Sequence, residues 1–322
     1  MRQQSGREKR KEADILSRRL LLRAAVSIAA VAVFAAAATA DSPIAEDNRV
    51  ALYHYDVRDD LSIYFGNSDI IIEDIRNALK RRQKDITIVY DSQSDNMADI
   101  DELIADLMEY ALSETDKPDE GDYLRYQMGG YDLDYSYEKD GDAYSYTVVI
   151  TPDYYSDSEQ EKEVSQAADK VVEGFAFDEN TTDLEKVRAV YDFVYKNVDY
   201  DIIHKKNEGY HLKSTAYGAL IYKHALCQGF SVLMYRLLRQ SGIECRIVTG
   251  TVMIDGAEEF HAWNIVNIDG KFYDLDAAWC KQLETEDYFL KCDAELEDHI
   301  KDKEFLSEDF LEKYPMSEES YS

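Results

Sequence analysis

Hydrophobic positions change period several times along the chain, and each change marks an element. Residues 24–38 read AAVSIAAVAVFAAAA, fifteen positions without a charge. Residues 69–81 have helical spacing, with Ile71, Ile72, Ile75 and Leu79 on one side, and the short β-rich run Ile86-Thr-Ile-Val-Tyr90 follows. Helical spacing returns over 100–112. Tyr131, Leu133, Tyr135 and Tyr137 then alternate with polar residues up to Asp140-Gly141, and Tyr144, Tyr146, Val148 and Ile150 alternate beyond it. Period two on both sides of Asp-Gly predicts a β-hairpin. Its tyrosine stripe reads more readily as a half-wet sheet face than as a ligand platform. Two capping-box patterns, Ser158-x-x-Glu161 and Thr182-x-x-Glu185, open the next two helices. The second carries Leu184, Val187, Tyr191, Val194 and Val198 on one face. The segment 200–215 is polar and contains His204 and His211. These elements predict a Tyr-rich α+β module over 41–155 and a second domain over 156–322, the boundary falling near Tyr155.

Residues 1–40 have the layout of a secretory signal. Eight basic and three acidic residues fall within this stretch, the apolar run follows the basic segment, and Ala38-Thr39-Ala40 offers a cleavage site. Ser17-Arg18-Arg19-Leu20-Leu21-Leu22-Arg23 also fits a twin-arginine signal, and an uncleaved anchor is the other form the leader could take. Export to a secreted or cell-surface location is expected in each case, with membrane contact only through the leader. The whole chain of 322 residues has 36 Lys+Arg against 66 Asp+Glu, a net charge of −30. Beyond residue 40 the balance is 28 basic to 63 acidic, or −35, which excludes nucleic-acid binding through a basic stripe. Four cysteines, at 227, 245, 280 and 292, are too few for a disulfide scaffold, and no C-x-x-C or H-x-x-H pair suggests a metal site. No cofactor is expected.

The chemistry concentrates after residue 225. Cys227 precedes a strongly periodic helix (Phe230, Leu233, Met234, Leu237, Leu238) that stops at Ser241-Gly242. At a helix N-terminus, unpaired N–H groups and the dipole favour a thiolate, the form that attacks carbonyls. A strand candidate spans 244–254. His261 to Trp279 then reads as two strands turning at Asp269-Gly270. Centring the loop there pairs residue i with residue 539 − i, so His261 faces position 278 and Trp263 faces Asp276. Asp276 becomes the diagonal same-face neighbour of His261, while Asp274 lies one pleat period further away. Cys227, His261 and Asp276 are thus candidates for nucleophile, base and orienting carboxylate of an acyl transfer. The Cys227 N–H is a ready oxyanion donor. Gln228, Tyr217 and Trp263 are equal candidates for a second donor.

Three stretches carry a family resemblance: Ala216-Tyr-Gly-Ala-Leu-Ile-Tyr-Lys-His-Ala-Leu-Cys-Gln-Gly-Phe230, Gly242-Ile-Glu-Cys-Arg-Ile-Val-Thr-Gly250, and His261-Ala-Trp-Asn with Asp269-Gly-Lys-Phe-Tyr-Asp-Leu-Asp276-Ala-Ala-Trp279. Together, across 184–279, they resemble the bacterial transglutaminase-like superfamily. The resemblance implies an α+β, papain-like core in which a helix bearing Cys227 packs on an antiparallel sheet bearing His261 and Asp276. Residues 288–321 look like an extension to that core. The chain departs from the pattern at Ala278, often Thr in the family, and at Cys280, often acidic, which raises a disulfide between Cys280 and Cys292. The expected function is an exported cysteine enzyme acting on amide or peptide bonds through a thioester, hydrolytic rather than crosslinking. Its partners would be protein or peptide substrates, cell-wall peptides among them. The competing functions are a crosslinking transamidase and a non-catalytic cell-surface binding module on the same scaffold.

Overall fold

The computed structural model describes residues 22–24, 56–57, 68–92, 97–141, 143–254 and 257–321. The expected leader, 1–40, lies outside the described residues apart from 22–24. Among the described residues no helix is long and apolar enough to cross a membrane. The chain divides into two units and passes between them more than once. The first takes the chain up to Ala111 together with Met128–Tyr154, and the second takes Leu112–Gln127 together with Tyr155–Ser322. The expected boundary at 155 therefore needs one correction, because 112–127 belongs to the second unit.

In the first unit, helix α1 (Ser68–Lys80), strand β1 (Ile86–Ser92) and helix α2 (Met97–Ala111) precede the hairpin of β2 (Met128–Asp140) and β3 (Ala143–Tyr154). Both β2 and β1 pair antiparallel with β3, and the short strands Leu22–Ala24 and Asp56–Val57 pair parallel at the two edges. The tyrosine stripe is only partly wet: Leu133, Tyr135, Tyr146, Val148 and Ile150 are buried. So are Ile71, Ile75 and Leu79 of α1 and Ile100, Ile104 and Met108 of α2. The Tyr135 hydroxyl bonds Asp101 of α2, giving a buried phenol its polar partner.

In the second unit, 112–127 includes the single turn α3 (Asp122–Arg125), and charged contacts hold it to the rest. Asp122 takes a bidentate ion pair from Arg246 (2.8 and 3.1 Å) and the backbone N–H of Ile247 (2.7 Å). Glu114 accepts from the Tyr235 hydroxyl at 2.7 Å. Helix α4 (Ser158–Phe175) is capped one residue earlier than the pattern predicts: Asp157 and Gln160 form the reciprocal box, and Glu161 instead accepts from Ser156. Helix α5 (Asp183–Asn197) is capped by Thr182 and Glu185 as expected. After the short α6 (Ala216–Leu220), helix α7 (Cys227–Gln240) runs through the centre, with Phe230 and 232–238 all buried.

The sheet beside α7 has the order β6-β5-β4-β7, from β4 (Cys245–Ile254), β5 (Ala257–Ile268), β6 (Lys271–Leu275) and β7 (His299–Lys301), with every neighbour antiparallel. Alternate residues of β5 serve two cores. Ala262, Val266 and Ile268 join the one containing α5 and α7. Trp263 and Ile265 join Val248, Phe272, Phe305 and Tyr314 in the other. The C-terminal stretch, including α9 (Glu308–Lys313) and preceded by α8 (Ala277–Leu283), is thus part of the unit's packing, and β7 completes its sheet.

Candidate functional site

Cys227 is the first residue of α7. Leu226, its N-cap, offers no side chain to the helix's free N–H groups. Gly229 allows this turn to press against the preceding chain: a Cβ there would stand 2.8 Å from both the Lys213 carbonyl oxygen and the Ala225 methyl. Leu226 N–H is anchored on that same Lys213 carbonyl at 2.7 Å.

The hairpin register is the one the sequence predicts. Lys271 pairs with Ile268 and Leu275 with Asn264, so each pair sums to 539. Asp269 and Gly270 both have positive φ (53° and 82°), as a two-residue primed turn requires. Past Leu275 the chain leaves the strand, and Asp276 becomes the N-cap of α8. Its Oδ1 accepts the Trp279 N–H at 2.9 Å. Its Oδ2 lies 2.6 Å from His261 Nε2, with both residues buried. The Cys227 side chain stands beside the His261 ring and helps to hold its proton. Cys227, His261 and Asp276 are therefore joined in one chain of contacts.

The electrostatics favour charge at both ends of the His–Asp pair. Burial opposes a charged His261 ring, but the Asp276 carboxylate, its hydrogen bond and the Cys227 contact raise the pKa to about 10. For Asp276 burial likewise works against the anion. His261 and a second imidazole, His299, overcome it and hold the carboxyl well below its usual range.

The three candidates for a second oxyanion donor are all engaged elsewhere. Gln228 Nε2 donates to the Tyr126 carbonyl at 2.5 Å, and the Tyr217 hydroxyl donates to Glu163 at 3.2 Å. Trp263 Nε1 donates to Asp274 at 2.7 Å. The group at the nucleophile is instead Tyr200, whose hydroxyl accepts the Cys227 backbone N–H. Tyr200 sits in a two-residue strand paired with His224–Ala225, just before Cys227, and no motif marks it in the polar 200–215 stretch. The disulfide between Cys280 and Cys292 is not formed, and all four cysteines are free. Cys280 meets the Tyr191 hydroxyl, whereas Cys292 lies 3.6 Å from Ser320 Oγ, so the two thiols face different neighbours.

His299 is the other residue that sequence reasoning missed. It lies on β7, 38 positions beyond His261, and nothing in the tail's pattern fixes the pairing of a three-residue strand. The strand reaches the site because Gly250 lacks a side chain. A Cβ there would meet the Ile300 carbonyl oxygen at 2.0 Å, and Gly250 is the residue paired with both His261 and Lys301. His261, Asp276 and His299 form the group of three metal-capable side chains found among the described residues, their ligand atoms within 4.8 Å of one another. Both imidazoles address the same carboxylate oxygen at hydrogen-bond distance, 2.6 and 3.0 Å.

Residues 169–277 match the transglutaminase-like superfamily core. Over 107 residues the chain is 30% identical to kyphoscoliosis peptidase of Homo sapiens and 28% identical to that of Mus musculus. The match covers 30% of this chain and only 16% of the length of either relative. A crystal structure of a TGase aligns over 60% of this chain and 51% of its own, at 16% identity and a TM-score of 0.33.

Proposed function

We propose that this chain, whose residues 169–277 match the transglutaminase-like superfamily core, is a cysteine-dependent hydrolase of amide or peptide bonds. The observation that carries the reading is His261 held between the Cys227 side chain and a buried, anionic Asp276. In the resting state the thiolate and the imidazolium form a pair, with Asp276 fixing the ring's orientation. The sulfur attacks the amide carbonyl carbon and the C=O π bond opens to an oxyanion. Collapse of that intermediate expels the amine, which takes its proton from His261 and leaves a thioester on Cys227. Water, deprotonated by the now neutral His261, then attacks the thioester and releases the acid and the thiolate.

Tyr200 supplies the second oxyanion donor in this scheme. Burial, then the charges of Cys227, Asp276 and Glu259, push its phenol pKa up, so the hydroxyl stays protonated and available to donate. Replacing it by Phe should lower kcat about 100-fold, the order expected for one oxyanion donor.

A peptide substrate suits the surroundings. Phe260, next to His261, is 60% exposed, and Ile202 and Ile203, just after Tyr200, are 78% and 81% exposed. The two segments are tied by Lys205 and Glu259 at 2.8 Å. Exposed apolar side chains of this size on both flanks fit the side chains of a bound peptide. The peptidase name of the two curated relatives supports hydrolysis over crosslinking. The leader pattern supports action outside the cytoplasm, where the mature chain would begin at Asp41.

Alkylation by iodoacetamide against pH tests the core of the reading. Cys227 should react readily at neutral pH, and His261→Ala should suppress that reaction. An unchanged profile in His261→Ala would overturn the proposal. Product analysis on a model peptide amide, with and without an added primary amine, distinguishes free acid from transamidated product. N-terminal sequencing of protein recovered outside the membrane tests export.

A further inference from the structure

Asp276 is braced from two sides. His261 Nε2 meets its Oδ2 at 2.6 Å, and His299 Nε2 meets the same oxygen at 3.0 Å. The other oxygen takes the Trp279 N–H at 2.9 Å, so the carboxylate has three donors and no freedom to turn. Behind His299 the network continues. Its Nδ1 lies 2.8 Å from Asp298 Oδ1, and Asp298 Oδ2 accepts the Tyr288 hydroxyl at 2.9 Å. Trp279, Trp263 and Tyr288 surround the His299 ring at 4.6, 5.0 and 5.4 Å between centroids. The ionisable groups facing the ring are Asp276 on the α8 cap, Asp298 beside it in sequence, His261 on β5 and Tyr288 in the preceding loop. Each ring nitrogen points at a carboxylate oxygen, and carboxylates only accept.

We propose that His299 is a positioning residue for the hydrolase: an imidazole, held by Asp298 and Tyr288, that pins Asp276 so that Asp276 in turn fixes His261 against Cys227. The proposal rests on the catalytic reading of Cys227, His261 and Asp276. A buried histidine that served packing alone would need partners for its nitrogens but would have no cause to share the one oxygen that orients His261. Sharing it ties the two rings to one oxygen, and the carboxylate is kept from rotating away between turnovers.

The test compares His299→Phe, His299→Gln and Asp298→Asn with the unaltered protein on a model peptide amide, alongside His261→Ala. His299→Phe should lower kcat about 10- to 100-fold with KM little changed, because the group never touches substrate. His299→Gln keeps an N–H for Asp276 and should recover kcat to within about 5-fold of the unaltered protein. Asp298→Asn, at a half-exposed position, tests the brace without emptying the pocket and should cost about 3-fold. The downfield proton resonance of His261 Nε2–H should move in His299→Phe and largely return in His299→Gln. Unchanged kcat and an unchanged resonance in His299→Phe would overturn the proposal. So would a loss in His299→Phe that follows thermal stability alone and is not relieved by Gln. If His299→Phe does not fold, wild-type kcat in Asp298→Asn would overturn it equally. An alkylation profile insensitive to His261→Ala would instead strike the underlying reading, and this inference with it.

Discussion

Two hairpins in this molecule obey the same local rules and come to different ends. The β2–β3 hairpin of the first unit and the β5–β6 hairpin of the second both alternate at period two and both turn at or beside an Asp-Gly. In β2–β3 the alternating face carries tyrosines and aliphatics, grading from buried Leu133 and Ile150 to Tyr137, 44% exposed near the turn. In β5–β6 the same alternation carries His261, Trp263 and Asp274 and delivers Asp276 just past the strand. Alternation fixes the face, and the partners met there fix the chemistry. The contrast is sharpest between two buried carboxylates two residues apart. Burial lifts Asp274 to about 7 against the pull of Lys301, whereas two imidazoles and a helix N–H hold Asp276 below the usual range in spite of burial. One is a structural tie for Trp263 and Lys301, and the other orients a base.

The largest effect that would break this contrast is on Asp276. Asp276→Asn keeps shape but removes the charge, and kcat on a model amide should fall about 10³- to 10⁴-fold. His261 should then lose its proton well below the value of about 10 set by the intact pair, so the alkaline limb of the pH–rate profile moves to lower pH. Asp274→Ala should do the converse. It leaves the Trp263 indole N–H without its acceptor and takes one of two carboxylates from Lys301, at a cost of about 3 kcal/mol measured by urea unfolding. Its kcat should stay within about 10-fold, since no step uses it. Comparable kcat losses in the two variants would erase the distinction.

A third buried carboxylate extends the comparison to pH. Burial, with Asp122 nearby, raises Glu114 from 4.5 to about 7, although Arg246 and the Tyr235 hydroxyl pull the other way. Between those values the folded protein binds a proton that the unfolded chain does not, so this group's contribution to stability grows as pH falls through about 7 toward 4.5. Glu114→Gln lacks that proton. The melting-temperature advantage of the Gln variant over the unaltered protein should therefore shrink by roughly 4 °C from pH 8 to pH 4.5. A constant offset would mean that Glu114 titrates normally.

What was legible in the sequence divides along the same lines. The β5–β6 register, the helix start at Cys227 and the position of Asp276 followed from local periodicity and one turn, because each is set within some twenty residues. The second-unit membership of 112–127 did not, since its ties to Arg246 and Tyr235 span over a hundred positions and use charges common in so acidic a chain. Gln228 and Tyr217 lie near Cys227 in sequence, yet each donor group is taken by a partner that only the fold brings close, while Trp263 donates to Asp274, its diagonal neighbour across the hairpin. His299 and Tyr200 fall in stretches without periodicity. Their role depends on a three-residue and a two-residue strand, too short to leave a pattern. Gly250 was the one local clue to His299, a strand glycine that marks a close backbone approach without saying which segment approaches.

The smallest expected effect tests the other hairpin. Tyr137 stands near the turn with its ring edge-on to Tyr144 and tilted on Tyr146, both at 5.7 Å between centroids, and no hydrogen bond of its hydroxyl is part of that contact. Replacing it by Thr keeps a strand-favouring residue while deleting the aromatic contacts of a half-wet pair, a loss of about 0.5–1 kcal/mol by urea unfolding. Cys227 alkylation and kcat should be unaltered. If the tyrosine face instead served the reaction, binding peptide for the second unit, Tyr137→Thr would raise KM with kcat preserved. In that outcome the two hairpins would share a task, and the difference between a face that packs and a face that reacts would no longer divide them.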